Sequence, residues 1–585
     1  MPRPCEHRVV LPISFALLEN IKIYFEENLS NDALDLLHHL IISGKRTTAP
    51  KGSRANSVLP PASYLDLIST LAVHPRHTTY TKSRDDHRAA VNALGYLQLL
   101  PALVSVRDSG MGQAFRFEDG RSADSQRWER GTKRKAMVAL GGSEAVAFDD
   151  DVINHPIARD SVWTQAKDFW HIVGWAINCA VWHRRRWEYW QLWLEFMVLV
   201  MKRDLEERIA LRNAGGEGRL EESILGRFLL LNEAGEGRQV WKRAAKAIFA
   251  DGEERAMNEF PPVWREETKI PKEEDMEMYK APSIYRDVED PSKDWLARTG
   301  PGVRDLRIRL ITLLLHITNQ TPSTSISLDS LSDLLASHIT HLPYPIYTSL
   351  LRASPLDTLP PSSLSTLTQT ISSWLIDHAA PANPEPDIVP TQEILATCFL
   401  PFAANTSSLE DNARLSWAVE VLQRMYFDAH PDTGPTRAFV KAVEAGIAAR
   451  AKHVKYAKVR TGVRGEEDEG FRVQLLESSW RMRVLIEAVE EGVGRRKGRG
   501  EEGGEVKVGE GNEEGVRAKI FLGIFDDDGV DDIETEVRQR LERRIRELEA
   551  EVAELKRGLW REGRKELEAL SDFRLDVKSY IWKER

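Results

Sequence analysis

Cysteine is scarce in this chain. Three residues of 585, Cys5, Cys179 and Cys398, lie far apart and are odd in number. That argues against a disulfide framework and a cysteine-based zinc site, and it favours a reducing compartment. No stretch reaches the ~18 consecutive apolar residues of a membrane span. The nearest, Ile172 to Trp182, stops at His183-Arg184-Arg185-Arg186. The apolar run Val9 to Leu18 has the length of a leader's core, but no small-residue cleavage site follows it and Glu19 opens an amphipathic pattern, so secretion is not expected. A surplus of positive charge is missing too: the net charge is −10 and the pI is near 5.9. A general nucleic-acid coat does not fit that balance, which leaves only local basic patches. Sustained period-two alternation is almost absent. So are a Walker A loop, G-x-S-x-G, H-E-x-x-H and a dinucleotide fingerprint.

Tryptophan is what the chain has in concentration. Seven of its sixteen tryptophans, Trp163, Trp170, Trp175, Trp182, Trp187, Trp190 and Trp193, fall within 31 residues. Each buries a large apolar surface and carries one N–H that needs an acceptor. The cluster is therefore the centre of a core or the centre of a contact surface. Trp163, Trp170, Gly174 and Ile177 share a helical face, and Trp190, Leu194, Met197 and Met201 repeat at helical spacing on a second arm. The arms predict a helical hairpin turning near His183–Arg186. A buried hairpin with a solvated basic turn is the expected reading. The functional alternative is an exposed aromatic groove around Trp187, Trp190 and Trp193, with Arg184, Arg185 and Arg186 touching phosphate.

Hydrophobic residues make up 42% of the chain and charged residues 29%, which suits a globular core with added charged segments. The predicted class is all-α: irregular stacked helical pairs, solenoid-like or a multi-helix bundle, ending in a coiled-coil helix. Residues 1–107 read as helical pairs, with 45–60 a loop and Pro101 bending or ending the last helix. Residues 108–150 lose periodicity and read as a mobile insertion. The tryptophan hairpin region covers 151–250, closed by Gly215, Gly216 and Gly218 and then two shorter helices. Residues 251–301 are rich in Pro, Glu and Lys and read as an irregular connection. A second helical block spans 302–492. Residues 493–530 read as a disordered low-complexity linker, and 531–585 as a coiled-coil helix and tail.

In that tail Leu541, Leu548 and Leu555 occupy heptad position d, and Ile545, Val552 and Leu559 position a. Arg544 faces Glu549 and Glu551 faces Lys556 across a parallel pair. The pattern predicts a homodimer, or half of a heteromeric coiled coil, through 541–559.

Other motifs are weaker. His74-x-x-His77, followed by Asp85, Asp86 and His87, superficially resembles a metal cluster, but polar residues belong at such a loop and helix start. No metal or cofactor is expected. Arg309 and His316 have the Arg-x6-His spacing that resembles the motif of helical HEPN-type ribonucleases, on a helix whose other residues are strongly apolar. Basic runs occur at Lys133, Arg134 and Lys135, at Lys455, Lys458 and Arg460, and at Arg495, Arg496 and Lys497. They suit nuclear import or nucleic-acid contact, although acidic runs adjoin the last two.

The segment DFWHIVGWAINCAVWHRRRWEYWQLWLEFM, with FLPFAANTSSLEDNARLSWAVEVL at 399–422, resembles all-helical proteins of filamentous fungi. The resemblance implies a helical fold and carries no activity or site residues with it. The function expected is that of a non-enzymatic scaffold or adaptor contacting protein partners, with no membrane association, in the nucleus or cytoplasm. A nucleic-acid-associated factor using 452–499 is the alternative, and a helical hydrolase or nuclease the third reading.

Overall fold

Thirty residues from Arg184 to Asn213 form one uninterrupted helix, and four other helices pack directly on it. In this computed structural model the described residues are 7–43, 56–81, 83–117, 153–231, 237–268, 301–321, 326–351, 361–376, 380–381, 383–384, 389–456 and 463–501. Met1–Val493 makes one unit and Gly494–Arg585 a second.

Among the described residues the fold is all-α apart from one pair of strands. β1 (Val9–Pro12) and β2 (Asn56–Leu59) pair in parallel, Val9 opposite Asn56 and Leu11 opposite Val58. This corrects the all-helical reading of residues 1–107 at Val9–Pro12 and the loop reading of 45–60 at Asn56–Leu59. Parallel strands need a crossover connection, and α1 (Phe15–Glu26) with α2 (Ser30–Ile42) supplies it. Then come α3 (Ala62–Leu71), α4 (Arg84–Leu103) and the short α5 (Met111–Ala114). Ser83 caps α4 by accepting from Asp85 N at 3.1 Å. Pro101 sits inside α4, two residues from its end.

The tryptophan hairpin follows: the short α6 (Val162–Gln165), then α7 (Phe169–Trp182) and α8 (Arg184–Asn213), separated by His183 alone. Asp168 caps α7 through His171 N at 2.7 Å. Gly174 lets the Phe260 ring lie on the α7 backbone, since a Cβ there would collide with it. α9 (Ile224–Phe228), α10 (Gly237–Ile248) and α11 (Glu254–Glu259) complete this half. So 251–268, expected to be irregular, contains a helix and carries Phe260, Val263 and Trp264 into the core.

The second half contains α12 (Pro301–Gln320), α13 (Leu328–Ile339), α14 (Tyr344–Leu351) and α15 (Pro361–Leu375). A one-turn α16 (Gln392–Ile394) leads into a π turn, Leu395–Phe399. α17 (Leu409–Ala429), α18 (Arg437–Tyr456) and α19 (Val463–Glu501) end the described chain. α19 makes 493–501 helical, where the composition predicts disorder. α15 lies between α13 and α17 and buries Ser365, Thr366, Thr368, Gln369 and Ser372. Thr368 and Ser372 satisfy their hydroxyls on the carbonyls four residues back, at 2.8 Å each. One continuous apolar cluster runs from Ile13 to Ile486. No helix among the described residues is long and apolar enough to cross a membrane.

A recurring contact joins these helices. The last carbonyls of a helix lack intrahelical donors and carry the negative end of its dipole, and here arginines from neighbouring elements supply the donors. Arg8 donates to Ile41 and Ile42 O at the end of α2, at 3.0 and 3.2 Å. Arg203 and Arg212 of α8 reach Pro101 O of α4 and Gln320 O of α12. Arg307 of α12 donates to Ile248 and Ala250 O at the end of α10, at 2.9 and 2.7 Å. Arg414 of α17 reaches Thr340 O after α13. Arg450 of α18 donates to Leu400 and Phe402 O beyond the π turn, at 3.3 and 2.9 Å. Burial pulls Arg307 and Arg450 down to about 10, which leaves both cationic at neutral pH.

The junction at Arg450 yields a prediction. Gly446 faces the Leu400 carbonyl oxygen so closely that a Cβ would overlap it, whereas Gly470 on α19 has nothing near. Gly446→Ala is expected to destabilise by about 3 kcal/mol through overpacking. Gly470→Ala is expected to stabilise by about 0.5–1 kcal/mol through helix propensity. Thermal midpoints of both variants check the opposite signs.

Candidate functional site

The sequence-predicted tryptophan candidates Trp187, Trp190 and Trp193 belong to a buried group. Trp163, Trp170, Trp175, Trp190 and Trp193 are fully buried and Trp187 nearly so. The indole N–H groups of Trp163, Trp170, Trp190 and Trp193 reach across elements. Trp163 donates to Ser69 Oγ at 2.8 Å, Trp193 to Ser69 O at 3.1 Å and Trp170 to Phe228 O at 2.9 Å. Trp182 is half-exposed and donates to Gly252 O at 2.7 Å. The segment thus forms a core, and Trp187, Trp190 and Trp193 do not line an open groove.

Arg186 corrects the reading of a solvated basic turn. Arg184 and Arg185 are partly exposed, but Arg186, in the same first turn of α8, is 1% exposed. Its Nε donates to Glu267, its Nη1 to Thr78 Oγ1 at 2.9 Å, and its Nη2 to Val73 O just past α3. Its guanidinium lies 5.0 Å from the Trp190 ring and 5.5 Å from the Trp264 ring. Glu267 is equally buried. It also accepts from Trp190 Nε1 at 2.7 Å and from Trp264 N at 3.2 Å. Two desolvated charges are tolerated only when paired and hydrogen-bonded on their remaining sides, and both conditions hold. Sequence reading missed Glu267. The signal was the apolar set Phe260, Val263 and Trp264 inside an otherwise charged stretch.

Groups with catalytic potential surround this centre but are closed in. Burial, aided by Glu267, pushes the Cys179 thiol well up, so it stays protonated and weakly nucleophilic. His74 and His155 are buried, and burial holds both well below the ordinary histidine range. Among the described residues no group of three or more His, Cys, Asp or Glu is placed to hold a metal ion. Arg309 is exposed; His316, seven residues on, is half-buried with Glu206 and Lys202 of α8 beside it. An open cavity of about 320 Å³ lies at the other end of α8, lined by Arg212, Gly216, Gly218, Arg219, Leu220 and Thr321 among others. Arg212 is 26 residues beyond Arg186, about 39 Å at 1.5 Å per residue, so the cavity does not open onto the buried centre.

A second, exposed group lies on α19, at residues that sequence reading did not single out. Its inner side is fixed to α17: Ser478 Oγ donates to Glu420 at 2.9 Å, Arg481 Nε to Glu420 at 2.8 Å and Gln423 Nε2 to Met482 O at 3.1 Å. Arg481 also stacks on Trp417 at 5.1 Å, and Arg483 pairs with Glu444 of α18 at 2.7 Å. Glu420 is 1% exposed, so α19 docks through a buried carboxylate. On the opposite side Leu476 is 45% and Trp480 44% exposed, and Val473 and Val484 are partly exposed. Spacings of three, four and four place these four residues on one face.

Several candidates fall beyond what is described. Lys133, Arg134, Lys135, Lys458, Arg460 and the heptad residues Leu541, Ile545, Leu548, Val552, Leu555 and Leu559 lie outside the described residues. Lys455 belongs to α18, and Arg495, Arg496 and Lys497 to α19, as backbone positions only.

No family model matches the chain, and no curated protein matches it.

The buried centre gives the second prediction. Trp190 packs on Trp193 and Trp264 and holds Glu267. Trp190→Ala is expected to cost roughly 3–5 kcal/mol, the usual penalty for truncating a buried aromatic. Trp190→Phe keeps much of the ring volume and is expected to cost less, about 1–3 kcal/mol for the lost donor to a buried carboxylate. Chemical denaturation of the two variants measures both steps.

Proposed function

We propose that this protein is a non-enzymatic helical scaffold that acts by contact with protein partners, in the nucleus or the cytoplasm. The observation that carries this reading is the outward face of α19, where Val473, Leu476, Trp480 and Val484 form an apolar stripe. A stripe at this spacing matches the apolar face of an amphipathic partner helix. The helix presenting it is held rigid by Glu420 and Glu444 from behind, so little ordering entropy is lost on contact. In support, His74, His155 and the Cys179 thiol are occupied in packing. The heptads at 541–559 would add pairing through a coiled coil, and the basic runs at 133–135 and 495–497 would serve nuclear import.

Leu476→Ser with Trp480→Ser tests the reading. These positions are half-exposed, so the double variant is expected to keep the wild-type melting temperature within the range of surface substitutions, about ±0.5 kcal/mol each. It is expected to lose a partner that co-purifies stoichiometrically with the wild type from native extract. Retention of the same partner by a folded double variant would contradict the assignment of this face.

A further inference from the structure

Two buried histidines near the Arg186–Glu267 centre are held in one tautomer by the same backbone contact. His74 Nδ1 accepts from the amide of Arg76 at 3.2 Å, and His155 Nδ1 from the amide of Ile157 at 3.2 Å. A ring nitrogen that accepts a hydrogen bond carries no proton, so both rings are neutral with the proton on Nε2. Protonation of Nδ1 would set one N–H against another and break the contact.

Their surroundings offer little to hold a second proton. His74 is 3% exposed, and its Nε2 has no hydrogen-bond partner among the described residues. Its ring meets the Trp264 ring edge-on at 5.1 Å. The charged and titratable groups facing it are His77 and Arg76 of its own turn, Arg186 of α8 and His155. Each is cationic or becomes so in acid. Glu267 is engaged by Arg186, and Cys179 of α7 stays a neutral thiol. His155 is 2% exposed, packs edge-on against Phe25 of α1 and lies 6.4 Å from the His77 ring. Asp86 of α4 faces only His77, whose Nδ1 lies 3.3 Å from the Asp86 backbone oxygen.

The geometry points to an acid-labile seam: protonation of His74 and His155 parts the 73–81 turn and the 153–157 segment from the Trp264 side of the core, while the second helical block stays closed. The buried rings titrate late in the folded state, His74 at about 3 and His155 at about 4, with burial the main cause and neighbouring cations adding to it. In an unfolded chain the same groups titrate near 6.5. The stability that rests on their neutral forms is therefore complete above about pH 6.5. It is lost progressively as the pH falls from there toward the folded values. Much of that loss comes before carboxylates titrate near 4, so mild acid acts on this seam first.

Amide hydrogen exchange on the full chain at pH 7 and pH 5, corrected for intrinsic rates, tests the proposal. Protection in 73–81 and 153–160 is expected to fall at least tenfold at pH 5, with α15 and α17 unchanged. The double variant His74→Asn and His155→Asn is the control, because an Asn side chain accepts from the same amide two residues on and does not titrate. It is expected to abolish the local response. If the double variant does not fold, His155→Asn alone is expected to remove part of it. Unchanged protection of the wild-type seam at pH 5, loss spread equally over both blocks, or an undiminished response in the folded Asn variant would each overturn the proposal.

Discussion

A single buried ion pair sets the centre of this molecule. Arg186 and Glu267 lie 81 residues apart in sequence, and between them they tie the end of α3, the Thr78 turn, the start of α8 and the Trp264 segment. Neither charge is tolerable there alone. Their mutual attraction, the two indole faces over the guanidinium, the acceptors Thr78 and Val73 offer Arg186 and the donors Trp190 and Trp264 offer Glu267 make the site possible. The tryptophans are arranged to satisfy it. Trp190 both covers Arg186 and donates to Glu267, so the apolar concentration in the sequence and the polar centre are parts of one design.

The same logic extends outward in weaker form. Arginines donate to the terminal carbonyls of α2, α4, α10, α12 and α13 and to the carbonyls after the π turn, in every case from an element other than the one that accepts. A stack of irregular helices lacks the repeating interface of a solenoid, so its register must be fixed contact by contact. Arginine suits this because its planar fork carries several donors and stays charged when buried. The Glu420 cluster does the equivalent with a carboxylate, drawing Ser478 and Arg481 of α19 onto α17.

Much of this was legible in the sequence. The all-α class, the two helical arms of the tryptophan hairpin and its turn at His183 appear where the spacing places them. What was illegible has physical reasons. β1 is four residues whose pairing depends on a partner 47 positions away, which no local pattern encodes. Arg186 stands in a run of three arginines, and only the tertiary position of Glu267 distinguishes it from its neighbours. Glu267 itself sits in a stretch that reads as solvated because its composition is charged. The face of α19 was hidden because its apolar residues on both sides blur the single-stripe pattern that a surface helix shows.

The most direct test of this account is a double-mutant cycle at the centre, using Arg186→Met and Glu267→Leu in the full chain. Each single change strands a buried charge and is predicted to cost about 3–5 kcal/mol. The double change removes both charges and is predicted to cost far less than the sum, with a coupling of several kcal/mol. Single variants near wild-type stability, or costs that simply add, would contradict the claim that this pair organises the core.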